Sequence, residues 1–420
     1  MLLLPPTLLC GKLKDKEEAF MKEYWVWLSC AMNGASIKTD ELLKFYVTPE
    51  NIYEHREELC DGKFGITKAE YKSLMNTPLS VAQDITKKAE FLNVKILTPD
   101  SKEFPERFLD IAAVPLVLYA KGNLDVLSES VSATIVGTRY PTDYALKVAY
   151  KLSYDLASAG AVIVSGFAIG IDSNSHWGAI NAGGKTIAVL ASGIDVNYPR
   201  GNEKLKNTII QNGVIISEYP FGSIADKKHF YPRNRLMAAL SLGTIVVQAP
   251  EISGALITAR HAIDQGKDVY VVPDSIFNSK AVGSLTLLKD SAFLITKAND
   301  FLLNYIHRYP DDIDLEKIVL HSDYDIQKDI ISTSMQKEVM RSTKPTKKVF
   351  VKLPDEIQGL ARKIYDELLK GPATVESIAY NLECDTSEIY SEITILEIEE
   401  CIAQDNDILY IPEIEIQVEI

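Results

Sequence analysis

The sequence predicts an α/β protein built around a parallel, doubly wound sheet, and three observations support this fold class. Short apolar runs alternate regularly with helical stretches between residues 131 and 304. The strand-like runs are apolar throughout, as expected for strands that are buried on both faces. Glycine and hydroxyl residues follow most of these runs, at the sheet edge where parallel α/β proteins bind their ligands.

The strands and helices predicted for this central region follow one another in a simple alternation. The predicted strands are Ala133–Val136, Ala161–Val164, Thr186–Leu190, Val214–Ile216, Thr244–Gln248, Asp268–Val272 and Phe293–Ile295. The predicted helices are Tyr144–Ala159, Ser173–Ala182, Asn202–Gln211, Pro232–Ser241 and Gly254–Gln265. A helix between consecutive strands provides the crossover that a parallel connection requires.

Residues 1–112 are predicted to form a small helical domain of SAM-like size. Apolar side chains recur every three to four positions in Glu18–Asn33, the spacing of an amphipathic helix. Two shorter helices are predicted at Thr67–Met75 and Leu79–Leu92, followed by a strand at Val94–Leu97. A role in packing or dimerisation is favoured for this domain over a role in DNA binding.

The central domain is predicted to span residues 113–305. The region after it divides into a linker and a second small domain. Residues 306–353 contain few core-forming side chains and include a basic run, Arg341–Lys348, so they are predicted to be a linker. Residues 354–420 show three helices and a hairpin, the pattern of a winged helix. The predicted helices are Ile357–Leu369, Val375–Asn381 and Thr386–Glu399, and the extended pair is Cys401–Ala403 and Ile408–Ile411.

The negative charge of the chain is concentrated in this last domain. Asp355–Ile420 holds seventeen Asp and Glu against three Lys and Arg, and the resulting −14 equals the net charge of the whole chain. The rest of the chain is therefore neutral overall, which leaves room for a local basic groove. Because a phosphate backbone would repel so acidic a domain, we expect it to bind protein or to act as a regulatory lid.

Several classes of protein are disfavoured by composition. The five cysteines are odd in number and lack a CxxC pair, so reduced thiols are expected, with no disulfide, metal or cofactor. No apolar run approaches the roughly 20 residues that span a bilayer. Pro5-Pro6 interrupt the apolar start, and no basic segment precedes it, which argues against a secretory signal. A cytoplasmic protein without a membrane partner is predicted.

The loops that follow the predicted strands are rich in glycine, basic and aromatic residues. In Ala161–Ile180 a strand passes through Ser165-Gly166 into a helix, a unit that presents backbone N–H groups to a phosphate. Its glycine spacing fits neither the G-x-G-x-x-G nor the Walker A pattern. Because basic and aromatic residues recur in several loops, a single-stranded polyanion fits better than a mononucleotide. The candidate DNA- or phosphate-binding residues are Gly137, Thr138, Arg139, Ser165, Gly166, Phe167, Lys185, Lys227, Lys228, Arg233, Asn234, Arg235, Ser253 and Gly254.

Some of these residues have an alternative, purely structural interpretation. Arg233 and Arg235 could pair with carboxylates, and Gly137 and Gly166 could serve only to permit tight turns. The sequence does not decide between these interpretations and phosphate binding.

Three further polar residues near the same loops are candidates for other roles. Asp172 is predicted to cap the helix that follows it, and His176 to be a packed or capping residue rather than a base. Glu218 is the best candidate for acid–base chemistry. No catalytic set can be assembled by motif, so the chain is predicted not to be an enzyme.

Six segments, in this order and spacing, resemble the DNA-processing protein A family, also called DprA or Smf. The match runs from about Ala113 to Leu303, and the helical domain before it and the winged helix after it also fit the family. The resemblance implies a Rossmann-like core that binds and protects incoming single-stranded DNA, forms a homodimer and helps to load a RecA-type recombinase in natural transformation, without catalytic turnover. The segments are GTR at 137, SGFAIGID at 165, YPRGN at 198, SEYPFG at 217, HFYPRNRLMAALS at 229 and SGALITARHAIDQGKDVYVVP at 253.

The resemblance also assigns roles by position, and the sequence departs from the family at some of them. Residues 137–139, 165–166, 233–235 and 253–254 correspond to the family's first-strand loop, phosphate turn, basic helix start and later turn. The family usually has Arg where this chain has Ile169. The loss of that arginine is expected to remove one phosphate contact and to weaken both DNA binding and its salt dependence. The family also usually has Ser, Gly and Asn where this chain has Ala255, Asp274 and Leu285.

Two other functions remain open. The same crevice could hold a nucleotide, with Glu218 beside the phosphate, in a nucleotide sensor or hydrolase. Alternatively, the chain could be an interaction scaffold whose acidic domain recruits partners. An extended track of Arg and Lys at the mouth of the crevice would favour a DNA strand, whereas a single cluster would favour a nucleotide.

Overall fold

A computed structural model provides the fold of the chain. It describes residues 21–60, 62–290, 292–318, 346–350, 353–354, 357–399, 401–405, 408–411 and 413–417. Cys10, the start of the predicted helix Glu18–Asn33 and most of the basic run Arg341–Lys348 lie outside these residues.

Five helices form the first part of the described chain. They are α1 (residues 21–32), α2 (Ile37–Tyr46), α3 (Pro49–Glu54), α4 (Lys68–Asn76) and α5 (Leu79–Phe91). Ser36 and Thr67 begin α2 and α4 with capping boxes, in which each side chain satisfies a helix N–H group that would otherwise lack a partner. The helices surround the fully buried Trp27 and share one hydrophobic cluster with the edge of the central sheet.

The central sheet has nine strands in the order β1-β2-β6-β5-β4-β3-β7-β8-β9. The strands from β3 to β9 are parallel to one another, and at one edge β2 pairs antiparallel with both β6 and β1. The strands are β1 (Lys95–Leu97), β2 (Leu118–Gly122), β3 (Ser132–Val136), β4 (Val162–Ser165), β5 (Thr186–Leu190), β6 (Gly213–Ser217), β7 (Gly243–Val246), β8 (Asp268–Val271) and β9 (Phe293–Leu294). The predicted α/β class with a large, mostly parallel sheet is confirmed.

Helices cover both faces of this sheet, which explains the continuous apolar runs in its strands. One cluster contains residues of α6 and α7, and the cluster on the opposite face contains residues of α9 and α10. The helices are α6 (Asp143–Ser158), α7 (Ile171–Asn181), α8 (Glu203–Asn212), α9 (Lys227–Leu240), α10 (Gly254–Asp264), α11 (Val282–Lys289) and α12 (Ala298–Leu302).

The structure differs from the prediction at both borders of the central region. The strand predicted within residues 1–112 is β1, and it pairs with β2 in the central sheet. The predicted linker begins with chain that packs on the core, since Ile313 is buried and the Asp314 N–H donates to the Ala159 carbonyl over 3.0 Å. Both contacts are made by short apolar segments that lie outside the regular alternation of strand and helix. The sequence pattern therefore did not predict these long-range contacts.

The last described region contains three helices and two small sheets. Its helices, α13 (Leu360–Leu368), α14 (Val375–Leu382) and α15 (Thr386–Ile398), enclose their own buried cluster. β11 (Ala373–Thr374), β12 (Ala403–Asp405) and β13 (Ile408–Tyr410) form one sheet. β10 (Thr346–Phe350), which falls in the predicted linker, pairs with β14 (Glu413–Gln417). Within the described residues, no helix combines the length and apolar composition that crossing a membrane requires.

Candidate functional site

The site lies at the topological switch point of the sheet, between the carboxyl ends of β3 and β7. Successive strands extend away from β3 on one side as far as β6, and the chain then crosses to β7 on the other side. Open α/β sheets bind their ligands in the crevice at this point. The two loops are joined directly, because the Thr138 N–H donates to the Gln248 carbonyl over 2.8 Å.

Gly137 is required by the close approach of the loop to α7. A Cβ atom at Gly137 would lie 2.6 Å from the Ile171 side chain and 3.0 Å from the Gln248 carbonyl oxygen. The loop after β3 can therefore run directly over the start of α7, which brings Thr138 and Arg139 to the mouth of the crevice.

Arg139 lies against an aromatic ring from α9. Its guanidinium carbon is 5.0 Å from the centroid of the Phe230 ring, a cation–π distance. The Tyr198 ring meets the same ring edge-on, with 6.1 Å between centroids. Lys227 and Lys228 are exposed in the first turn of α9. We call these five residues, Arg139, Tyr198, Lys227, Lys228 and Phe230, the carboxyl-edge surface.

The turn after β4 is organised by a buried carboxylate. One Asp172 oxygen accepts hydrogen bonds from the N–H groups of Gly166, over 3.2 Å, and Ala168, over 3.3 Å. Asp172 was predicted to cap the following helix, and this is wrong: α7 begins after Gly170, and Asp172 lies inside it. The Gly166 N–H group, which was expected to help cradle a phosphate, is thus already bonded within the protein.

Arg233 ties this turn to the neighbouring strand. Its side chain is only 4% exposed, and one guanidinium nitrogen donates to the carbonyls of Gly166, over 2.8 Å, and Val189. Another nitrogen donates to Asn234 Oδ1 over 3.0 Å. A Cβ at Gly166 would come within 2.7 Å of the guanidinium and 2.8 Å of the Asp172 carboxylate. Gly166 is therefore needed to let these two charged groups approach the turn.

Burial dominates the electrostatics of this pair. It raises the pKa of Asp172 to about 6, and the nearby Arg233 charge and the N–H donors oppose that rise. It lowers the pKa of Arg233 to about 10, and the Asp172 charge opposes that change. Arg233 thus stays protonated at neutral pH, and its charge favours the ionised form of Asp172.

Arg235 lies beside Glu218 in a second buried pair. One Arg235 nitrogen donates to the Glu218 carboxylate over 2.7 Å, and both side chains are about nine-tenths buried. Burial raises the pKa of Glu218, and Arg235 opposes this effect. This is the carboxylate pairing described above as the structural alternative for Arg235. A Glu218 carboxylate held in this way is shielded from solvent and bonded to a cation.

The remaining candidate residues near the crevice are placed as follows. Ser165 is buried and donates to the Ile135 carbonyl over 2.7 Å, and Phe167 is buried with its backbone at a positive φ of 63°. Asn234 donates to the Gly254 carbonyl over 3.2 Å. Ser253 caps α10, and a Cβ at Gly254 would meet open space. Gly254 is thus the candidate glycine with room for a ligand above it.

Lys185 is not brought to the crevice. It immediately precedes β5, so it lies at the amino edge of the parallel strands, opposite the carboxyl-edge surface. Its ammonium group pairs there with Glu129. The expectation that Lys185 contributes to the same site is therefore wrong.

The predicted basic helix start is also displaced. The helix was predicted to begin at Pro232, but α9 begins at Lys227, with Asp226 as its N-cap. Pro232 lies in the second turn, and residues 233–235 lie in the buried middle of the helix. The proline suggested a later helix start than the true one. Phe230 was not among the candidate residues, although its position between basic residues was a visible signal.

His176 is buried beneath the same turn, as predicted for a packed residue. Its Nδ1 lies 2.7 Å from the Thr186 hydroxyl, which itself donates to the Ile163 carbonyl over 2.7 Å. His176 therefore donates from Nδ1, and its Nε2 has no hydrogen-bond partner. Burial lowers the pKa of His176 to about 3, so the ring is neutral in the folded chain.

The chain matches the family model described as DNA recombination-mediator protein A over residues 95–306, just over half of its length. It is 41% identical over 213 residues to Protein Smf of Synechocystis, a match that covers 50% of this chain and 54% of that protein. It is 42% identical over 200 residues to the DNA processing protein DprA of Bacillus subtilis, covering 48% of this chain and 67% of that protein. The chain thus spans about half of the Synechocystis protein and two thirds of the Bacillus protein.

The chain is also similar to a solved structure of this family. The X-ray structure of DNA processing protein A from Streptococcus pneumoniae superposes with a TM-score of 0.53 at 32% identity. The superposition covers 58% of this chain and 84% of that one.

Proposed function

This chain belongs to the DNA recombination-mediator protein A family, and we propose that it binds single-stranded DNA across the carboxyl-edge surface. The observation that supports this most directly is the stacking of Arg139 on Phe230 beside the exposed Lys227 and Lys228. Cations that track a backbone, interleaved with rings on which bases stack, are what a single strand requires.

In this proposal the candidate residues divide into two groups. The first group contacts the DNA and consists of Arg139, Lys227 and Lys228, which contact phosphates, with Thr138 beside Arg139 in the loop after β3. Gly254 leaves room for the DNA strand at the start of α10. The second group holds the surface in place from below. It consists of Gly137, Ser165, Gly166, Phe167, Arg233, Asn234, Arg235 and Ser253.

The alternative of a nucleotide in the crevice is less well supported. A nucleotide phosphate at the turn after β4 would need the N–H groups of Gly166 and Ala168, which already donate to Asp172. Glu218, the residue expected to serve such a site, is bonded to Arg235. We therefore favour a binding protein without catalytic turnover.

We further propose that the protein acts in the cytoplasm as a homodimer that protects incoming DNA and helps to load a RecA-type recombinase. The description of the family as a recombination mediator supports this role. Light scattering coupled to gel filtration tests the dimer. The rate at which a RecA-type recombinase assembles on single strands coated with single-strand-binding protein tests the loading, and an unchanged rate would contradict it.

Fluorescence anisotropy with a labelled dT oligomer and a duplex of equal length tests the binding. Each phosphate contact adds about 0.7 to the slope of log affinity against log salt for single strands. Three contacts predict a slope of at least about 2, and Arg139→Gln should reduce it by about 0.7. Lys185→Gln is the matched control, because it removes a positive charge from the opposite edge of the sheet. Equal effects of the two variants, or preferential binding of ATP or GTP in a parallel titration, would refute the proposal.

A further inference from the structure

The acidic C-terminal region lies against the surface that we propose for DNA. Helix α15 is in contact with α9, the helix that carries Lys227, Lys228 and Phe230. In the last turn of α15, the carboxylate of Glu397 lies close enough to Arg139 for the two charges to interact. The contact therefore involves the cation that stands at the mouth of the crevice.

The Glu397 carboxylate is partly withdrawn from water. Glu397 is half-buried, whereas Glu388 on the first turn of the same helix is exposed. Burial raises the pKa of Glu397, and Arg139 is the group that opposes this rise.

The charges of the two partners are complementary. The domain beyond residue 354 carries the whole net negative charge of the chain, and α15 contributes Glu388, Glu392 and Glu397 to it. On the core side, Arg139 is the cation near Glu397, and the helix that α15 contacts carries Lys227 and Lys228 in its first turn. A carboxylate facing an arginine makes the same kind of contact as a phosphate group.

We propose that α15 docks over the Arg139 end of the carboxyl-edge surface in the free protein, with Glu397 in the place of a DNA phosphate, and that a DNA strand must displace it. This inference rests on the proposed function, because it concerns access to the same surface. The docked domain and the strand cannot both occupy Arg139. The apparent dissociation constant for DNA is therefore the intrinsic one divided by the fraction of undocked chains.

Once displaced, the domain would not return while DNA is bound. Its net charge would be repelled by the phosphates that cover Arg139, Lys227 and Lys228. The undocked domain then exposes the face of α15 that had lain against α9. Binding of DNA and exposure of this helix are thus coupled, and each favours the other by the same factor.

The test uses the full chain and two matched variants. Glu397→Gln removes the carboxylate that faces Arg139, and Glu388→Gln removes an equal charge from an exposed position of the same helix. Affinity for a dT oligomer is measured by anisotropy. Hydrogen exchange of α15 and of the start of α9 is measured without DNA and at saturation.

The proposal predicts that Glu397→Gln tightens dT binding by about fivefold, the low end of typical couplings between sites, while Glu388→Gln has little effect. It also predicts that Glu397→Gln speeds exchange at the start of α9 without DNA, and that dT speeds exchange in α15 of the unmodified chain. A difference of less than about threefold between the variants, or unchanged or slower exchange of α15 with dT bound, would overturn it. If no form of the chain binds dT, the proposed function itself fails. The exchange of α9 without DNA would still report whether Glu397 holds the two helices together.

Discussion

The division of the basic residues into a surface group and a supporting group makes a strong prediction for Arg233. Replacing Arg233 by Met keeps an unbranched side chain of similar length but removes its hydrogen-bond donors. The carbonyls of Gly166 and Val189 lose a buried donor, and the Asp172 carboxylate loses the positive charge that faces it. Arg233→Met should therefore reduce stability greatly, even if the fold survives.

The size of the effect follows from these contacts. A buried polar group left without its partner costs about 1–3 kcal/mol, and breaking a buried charged pair from one side costs about 3–5 kcal/mol. We expect a loss of about 3–5 kcal/mol, which corresponds to a fall in Tm of about 6–20 °C for a domain of this size. Arg139→Met, at the mouth of the crevice, should change stability by less than about 1 kcal/mol.

Urea unfolding followed by circular dichroism measures the stability of both variants, and dT anisotropy well below their unfolding temperatures measures binding. The account predicts that Arg233→Met mainly loses stability and Arg139→Met mainly loses affinity. If Arg233→Met were as stable as the unmodified chain and lost as much affinity as Arg139→Met, Arg233 would be a phosphate ligand, and the supporting role assigned to it would be wrong.

Three further predictions concern other parts of the structure. Burial lowers the pKa of His176 from 6.5 to about 3, so the stability that its neutral form contributes is complete above pH 6.5 and is lost as the pH falls towards 3. His176→Phe should therefore flatten the acid side of a curve of Tm against pH. Parallel curves for the variant and the unmodified chain would contradict this. Lys267→Met should cost about 2–4 kcal/mol in urea unfolding, because the ammonium group donates to three main-chain carbonyls at the end of α9; a neutral result would mean that water replaces these bonds. Gly166→Ala should lower Tm, at a cost of about 1–3 kcal/mol, because its Cβ would collide with Arg233, whereas Gly254→Ala, whose Cβ meets open space, should not.

Much of the central domain could be predicted because its signals are local. Strands such as Thr186–Leu190, which was predicted with the observed bounds, are apolar on both faces since helices cover the sheet on both sides. Serine and threonine caps mark several helix starts in the sequence itself. The parallel connections then follow from the alternation of strand and helix.

The roles of the charged residues could not be predicted, because they depend on contacts between distant parts of the chain. Arg233 and Gly166 are 67 residues apart, and neither segment alone shows that one bonds the other. The sequence of a basic cluster does not show whether its side chains face solvent or the core. Asp172 was taken for a helix cap because a carboxylate at a helix start usually serves the helix, not the preceding turn.

Two errors could have been avoided with the signals at hand. Lys185 stands directly before a predicted strand, so its position at the amino edge of the sheet followed from the prediction itself. Asp226 is a good N-cap six residues before Pro232, and a proline in an early turn does not exclude a helix that has already begun. The proximity of Glu397 to Arg139, in contrast, depends on how two separate domains pack.

In the proposed complex, a DNA strand crosses the carboxyl edge of the sheet at its switch point. Photo-crosslinking of the full chain with a dT oligomer that contains 4-thiothymidine, followed by mass spectrometry of the adducts, tests this claim most directly. Adducts are expected in the loop after β3 and in the first turns of α9, with Tyr198 and Phe230 as the rings nearest the bases. Adducts confined to the N-terminal helices or to the C-terminal domain would contradict it.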